Sequence, residues 1–273
     1  MRLSIITINF NNTAGLQKTL ESVANQMSEE IEHIVVDGGS PDGSVDVIRM
    51  FPHISKCVSE PDSGIYNAMN KGIRMASGDY IQILNSGDKL AAPDVTERML
   101  AEVQRITESE GEAPDIVYGN MTKVDSDGKV IGKSGETEYS LRQFYSSTLN
   151  HDCAYIRRDL FDKYGYYDEN LKIVSDWKWY LLAIGLGDVV PKYVDIDVTI
   201  FDAGGISETN LALRNKERRK VLEEVLPPAI LWDYDHHAFD AEQINRLRKR
   251  HLYWLVYLIE RCLFKLEKWH ILK

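Results

Sequence analysis

Over the first 120 residues, short apolar runs alternate with helix-spaced patterns, and few architectures accept that rhythm. The runs are Leu3–Ile8, Ile31–Val36, Cys57–Val58, Ile81–Leu84 and Ile116–Tyr118. Between the first two, Leu16, Leu20, Val23 and Ala24 recur at helical spacing behind Asn11-Asn12-Thr13, a cluster suited to capping a helix N-terminus. Strand, helix, strand in this order predicts an α/β chain with a mostly parallel central sheet and helices on both faces. Ligands of such sheets bind beyond the carboxyl ends of the strands, so chemistry is expected in the residues just after each run.

Those residues are polar at four strands in a row: Asn9-Phe10-Asn11-Asn12, Asp37-Gly38-Gly39-Ser40, Glu60-Pro61-Asp62 and Asn85-Ser86-Gly87-Asp88. Any one of them is an ordinary turn. Four at one sheet edge point to a site. The first turn lacks GxGxxG and the chain lacks GxxxxGK followed by Ser or Thr, so dinucleotide and P-loop phosphate binding lose their usual support.

Residues 121–135 read as a hairpin turning at Asp127-Gly128. Loops follow, then an amphipathic helix through Trp177, Tyr180, Leu181 and Ile184, and another strand over Val189–Phe201. From about Asn210 the pattern is helical. The 273 residues are close to the size at which one hydrophobic core stops growing, so one catalytic-sized domain with an appendage is expected. The opening MRLSIITINFNN reads as a first strand and lacks the cleavage site of a secretory signal. Cys57, Cys153 and Cys262 are odd in number and far apart, which fits neither a disulfide framework nor a zinc site and points to a reducing, cytoplasmic setting.

The ordered stretches SIITINFNN with GLQKTLESV, IEHIVVDGGSPDGS, SEPDSGIYNAMNKGIRMASGDYIQILNSGD, IRRDLFDKYGYYDE, SDWKWYLL and GGIS resemble the inverting family 2 glycosyltransferases, in particular those that build bacterial capsule, exopolysaccharide and lipopolysaccharide. The resemblance spans residues 3–207 and implies a glycosyltransferase-A fold, Rossmann-like, with a C-terminal helical extension. It divides the chain into a catalytic domain over 1–209, with a nucleotide-sugar half to about 120 and an acceptor half beyond, and a helical region over 210–273.

The resemblance also assigns roles. Asp176, in Ser175-Asp176-Trp177, matches the catalytic base, and an ordinary aspartate is ionised at neutral pH, as a base must be. Asp37 matches the carboxylate that meets the base or ribose of the donor. Thr7, Phe10, Asn11, Asp62, Asn70, Lys71, Asn85 and Ser86 complete the expected donor site. Asn85-Ser86-Gly87-Asp88 takes the place of the family's DxD signature, with Asp88 as the ligand of a Mn or Mg divalent cation and Asn85 where an acid usually stands. His151, Trp177 and Ser207 are expected near acceptor or phosphate, and Asp152 stands where many relatives carry Gln. Cys153 beside His151 has no further support as a thiol nucleophile. The implied donor is a nucleoside-diphosphate sugar, with uridine the family default, and the acceptor a saccharide or polyprenyl-linked saccharide. Two other readings stay open: an idle nucleotide-sugar-binding or scaffolding subunit, and a sugar-nucleotide nucleotidyltransferase, which would need a basic phosphate loop where Asn9-Phe10-Asn11-Asn12 stands.

Charge adds one further expectation. Residues 246–273 carry a net of +6 while the whole chain carries −10, which leaves −16 on the rest. No apolar run reaches the roughly 18 residues of a membrane span. At 100° per residue the tail gathers Leu247, Trp254, Leu255, Leu258, Ile259, Cys262, Leu263, Leu266 and Trp269 on one arc, with Arg250, Arg261 and Lys268 opposite. Such a helix suits the interface of an anionic membrane, with the enzyme peripheral on the inner face of the cytoplasmic membrane. Packing on the catalytic body, or on a second copy in a homodimer, is the alternative; no nucleic-acid partner is expected.

Overall fold

The computed structural model describes residues 1–205 and 209–268. The expected strand and helix alternation is present: β1 (Leu3–Asn9), α1 (Thr13–Ala24), β2 (Ile31–Asp37), α2 (Ser44–Arg49), β3 (Ile54–Ser59), α3 (Ile65–Met75) and β4 (Tyr80–Ile83). All seven residues of β1 are buried, the mark of a central strand covered on both faces. Asn12 caps α1, its Oδ1 accepting from the Gly15 amide at 3.1 Å, and the helix then buries Leu16, Leu20 and Val23 on the predicted stripe. Helix α3 lies directly on β1. A Cβ at Gly72 would meet Ile6 Cγ2 at 2.3 Å, so this crossing admits only glycine.

The second half adds β5 (Lys89–Leu90), α4 (Val95–Glu110), β6 (Ile116–Val124), β7 (Val130–Ser134), α5 (Leu141–Ser146), β8 (Ala154–Arg157), α6 (Leu160–Tyr164), α7 (Ser175–Tyr180) and β9 (Lys192–Asp202). β6 and β7 form the predicted hairpin, with Gly128 at φ 78° in its turn. Strand order is β3-β2-β1-β4-β8-β6-β9-β5, with β7 beside β6. The pairs from β3 through β4 are parallel, as is β6 with β9, whereas β8 runs antiparallel to both β4 and β6. This one reversal positions the site. Because β8 runs against β4, the turn His151–Cys153 that precedes β8 arrives at the carboxyl end of β4, beside Asn85.

One core cluster joins Leu3, Ile5, Leu84, Met99, Val103, Val117, Tyr155 and Val198; another joins Leu16, Leu20, Val35 and Ile48. The chain divides into two compact units, Met1–Val221 and Leu222–Lys273. α8 (Leu211–Val225) begins in the first unit. The second holds α9 (Pro228–Lys249) and α10 (Tyr253–Lys268), joined through His251 at φ 55°. On α10, Trp254, Tyr257, Ile259 and Phe264 are more than half exposed. No helix among the described residues is long and apolar enough to cross a membrane.

Candidate active site

Three elements meet at the carboxyl edge of β4. Asp176, in the first turn of α7, places Oδ2 at 3.2 Å from His151 Nδ1 and accepts at Oδ1 from the Tyr66 hydroxyl, 2.7 Å away on α3. Burial works against its charge, but His151, Tyr66 and the Trp177 amide more than offset this and hold Asp176 below the ordinary carboxylate range. Its side chain remains 15% exposed, so the ionised carboxylate is reachable from the cleft. Burial likewise disfavours a charged His151, yet the bond to Asp176 and the charges of Asp176, Asp152 and Asp88 push it up to about 9. His151 Nε2 lies 3.1 Å from Asn85 Nδ2. A neutral ring with its proton on Nδ1 suits that contact; a doubly protonated ring requires Asn85 to present Oδ1 instead, so ring charge and amide orientation are linked.

Behind this row, Asp88 is 3% exposed and its Oδ1 accepts from the Asp202 amide at 3.0 Å. Burial and the neighbouring charge of Asp152 push Asp88 up to about 7. Asp152 is raised by burial too, and its Oδ2 accepts from Thr199 Oγ1 at 2.9 Å, so it packs inward rather than facing an acceptor. A hard divalent cation needs oxygen ligands. Asp88 offers a carboxylate whose proton affinity a cation would lower, and with Nδ2 turned to His151, Asn85 Oδ1 is a buried oxygen without a hydrogen-bond donor. Among the described residues, no three His, Cys, Asp or Glu side chains converge to hold an ion by themselves. The oxygens of Asp88 and Asn85 are of the kind a hard divalent cation takes.

The β1–β3 edge forms the other side. Phe10 is 65% exposed, which removes a core role for it. A Cβ at Gly38 would come within 3.0 Å of Phe10 Cδ2 and 2.9 Å of Asp62 Oδ2, so these three residues converge over a floor that has room for glycine. Lys71 is tied to Glu60 and Asp62, each at 2.9 Å, rather than extended into solvent. Asn11, at φ 50°, donates its amide to Ser40 Oγ at 2.9 Å, and Asn12 Nδ2 holds the Ser86 carbonyl and hydroxyl at 3.0 and 3.3 Å.

Several expected contacts fall elsewhere. Asp37 is fully buried and accepts from Asn9 Nδ2, Ser40 Oγ, Ser59 Oγ and the Ser40 and Gly39 amides at 2.6–3.2 Å. A carboxylate offers about four lone-pair sites, so these donors fill it and Asp37 shapes the loop instead of presenting a free acceptor. Thr7 is fully buried with its hydroxyl 3.0 Å from His33 Nε2, and does not line the cleft. Asn70 is 1% exposed, with its amide spent on the Tyr167 backbone and Glu169, which anchors the 167–169 loop over α3. Trp177 is a packing residue, 2% exposed and donating to the Phe144 carbonyl at 2.8 Å. Burial pushes the Cys153 thiol well above its usual value, which leaves it inert. Ser207 lies outside the described residues. Tyr66 is the site residue that sequence reasoning passed over. Its position in Ser63-Gly64-Ile65-Tyr66 carries no chemical signature until α3 and α7 are brought together.

Comparison with known proteins bears on the family and the fold. An uncharacterized glycosyltransferase of Mycobacterium tuberculosis is 35% identical over 185 residues, 66% of this chain and 68% of its own. A PGL/p-HBAD biosynthesis glycosyltransferase of Mycobacterium bovis is 28% identical over 212 residues, 76% of this chain and 79% of its own. Among solved structures, Staphylococcus aureus TarS 1-349 in complex with UDP-GlcNAc superposes with a TM-score of 0.58 at 19% identity, covering 77% of this chain and 61% of that one. A mannosyltransferase from Pyrobaculum calidifontis in complex with GDP-Man and Mn2+ gives 0.58 at 17%, covering 84% and 66%. The fold is of the glycosyltransferase-A type. The stretch from β1 through α6 that builds the polar sheet edge matches the sequence description Glycosyl transferase family 2 over residues 4–165, and the chain belongs to that family.

Proposed function

We propose that the chain moves a sugar, with inversion, from a UDP-sugar to a hydroxyl of a saccharide or lipid-linked saccharide in the assembly of a bacterial surface polysaccharide or glycolipid. One observation supports the reading: Asp176, partly buried yet kept ionised by Tyr66 and His151, at the carboxyl edge of β4. Its carboxylate takes the proton of the acceptor hydroxyl as that oxygen attacks the anomeric carbon and the bond to the diphosphate oxygen breaks. A single displacement of this kind inverts the anomeric centre. Tyr66 and His151 fix the direction of the carboxylate, and the donor lies along Phe10, Gly38 and Asp62. Asp88 and Asn85 Oδ1 would hold a Mn or Mg ion, which when bound supplies Lewis-acid stabilisation of a diphosphate.

Relatives named for PGL/p-HBAD biosynthesis and a fold neighbour holding UDP-GlcNAc support the donor and acceptor classes. The second unit serves as a foot on an anionic membrane surface: α10 exposes Trp254, Tyr257, Ile259 and Phe264 a few residues from Arg248, Lys249 and Arg250. Thermal unfolding with a panel of nucleoside diphosphates and their sugars, with Mn2+, tests the donor reading. UDP and a UDP-sugar raise the midpoint because they bind the native state; a panel in which no nucleotide shifts it refutes the reading.

A further inference from the structure

Tyr66 belongs to α3 and Asp176 to α7, 110 residues further on, so the 2.7 Å bond between them holds while the two helices keep their places. One short loop, residues 165–169 between α6 and α7, grips both helices. Its Gly165 carbonyl accepts from Trp179 Nε1 of α7 at 2.8 Å, and its Tyr166 ring lies 4.7 Å from the Arg74 guanidinium of α3. Tyr167 touches both. Its backbone exchanges bonds with the Asn70 side chain at 2.9 and 3.0 Å, while its ring stands 5.7 Å from that of Tyr66 and 6.5 Å from that of Trp179. Asp168 Oδ2 then accepts from Lys178 Nζ of α7 at 3.0 Å, and Glu169 accepts from Asn67 and Asn70 of α3 at 2.8 Å each.

The two neighbouring acids therefore pull in different directions along the chain, one on each helix. Burial opposes the charge of Asp168, but Lys178 and Asn170 more than offset it, and the bonds from Asn70 and Asn67 lower Glu169. Both are ionised near neutral pH, which makes these contacts the stronger, charge-assisted kind. Asn70 has no freedom to turn its amide towards another partner, because its oxygen is committed to the Tyr167 amide. A shift of the loop is thus passed to α3 within one turn of Tyr66, and to α7 within one turn of Asp176.

We propose that Asp168 and Glu169 are positioning residues, a clasp that ties α7 and α3 to one loop and so keeps the Tyr66 hydroxyl on the Asp176 carboxylate. Its consequence for turnover rests on the reading of Asp176 as the base; the clasp itself does not.

The test reads the Tyr66–Asp176 bond directly and needs no substrate. The full chain is labelled with 13C at tyrosine Cζ, and the Tyr66 resonance is identified as the one lost in Tyr66→Phe. Asp176→Asn gives its position when the charged acceptor is gone. At neutral pH the resonance is expected to move towards that position in Asp168→Asn and in Glu169→Ala, and by less in Glu169→Gln, which retains one acceptor oxygen. Asp168→Asn and Glu169→Gln preserve side-chain size, so they carry the test if Glu169→Ala does not fold. Thermal unfolding is followed in the same samples. A resonance that stays at its wild-type position in the folded variants, whatever their midpoints, overturns the proposal, because a loop that merely adds packing energy lowers the midpoint without moving Tyr66. Calorimetric titration of wild type with UDP is run separately; failure to bind counts against the glycosyl-transfer reading and leaves the resonance result standing.

Discussion

Replacing Tyr66 by Phe removes one hydroxyl and little else, because the ring stays packed against Tyr167, with centroids 5.7 Å apart. The hydroxyl lost is the donor at 2.7 Å to Asp176 Oδ1, and burial together with the Asp176 charge keeps the phenol itself far from ionising. A hydrogen bond to a buried charged group is worth about 1.5–3 kcal/mol, and each ~1.4 kcal/mol moves a titration by one pH unit. The acid limb of kcat/KM against pH in Tyr66→Phe is therefore expected to move upward by about 1–2 pH units relative to wild type. His151 still holds the other carboxylate oxygen, so Asp176 stays ionised on the alkaline side and the two profiles converge there. The assay is UDP release from a UDP-sugar and acceptor across the pH range. Superimposable profiles would refute the claim that Tyr66 sustains the charge on Asp176, and an equal loss at every pH would mean that Tyr66 acts on the reacting atoms instead.

Acid should weaken the fold in two stages. Burial opposes the Glu32 charge, but Lys56, Ser4 and Ser77 hold the carboxyl down at about 2 against 4.5, so its contribution is present above pH 4.5 and is lost as pH falls towards 2. After allowance for screening at the Lys56 end that contribution is on the order of 2 kcal/mol. His33, buried between Thr7 and His53, is lowered to about 3 from 6.5 by burial and the charge of His53, so the unfolded chain takes up a proton that the folded one refuses, and stability begins to fall below pH 6.5. Melting midpoints measured from pH 7 to 3 are expected to decline below pH 6.5, with Glu32→Gln flattening the part below pH 4.5; a midpoint constant from pH 6.5 to 4.5 contradicts the His33 assignment, and a Glu32→Gln profile parallel to wild type below pH 4.5 contradicts the Glu32 one. For the second unit, the full chain should sediment with anionic vesicles at low salt and release at high salt, since each basic residue near such a surface contributes about 1 kcal/mol. Failure to sediment at low salt removes the membrane role.

The parts of the fold set by local chemistry could be read directly from the sequence. The apolar rhythm gave β1 through β4 in order, the Asn12 cap gave the start of α1, and Asp127-Gly128 gave the β6–β7 turn. The gathering of the polar turns after β1, β2, β3 and β4 at one edge followed too, because the ends of parallel strands must share it. What escaped were contacts decided by tertiary placement. Asp37 and Asn70 look like ligand-binding side chains in sequence, yet one is filled by serine hydroxyls and amides from its own loop and β3, and the other by a loop almost a hundred residues on. Thr7 is turned inward by His33, whose burial beside His53 no periodicity announces. The meeting of Asn85, His151, Asp176 and Tyr66 depends on β8 running against β4, a pairing direction that a four-residue strand does not encode by itself.

The proposed role of Asp176 as the base of a glycosyl transfer is open to a direct test. Asp176→Asn keeps the shape of the side chain and an oxygen for Tyr66 or His151 while removing the capacity to take a proton. Release of UDP from a UDP-sugar in the presence of acceptor should fall by roughly 10²–10⁴-fold, with the affinity for the UDP-sugar within a few-fold of wild type. Turnover near the wild-type rate in a variant that still binds the donor would contradict the account.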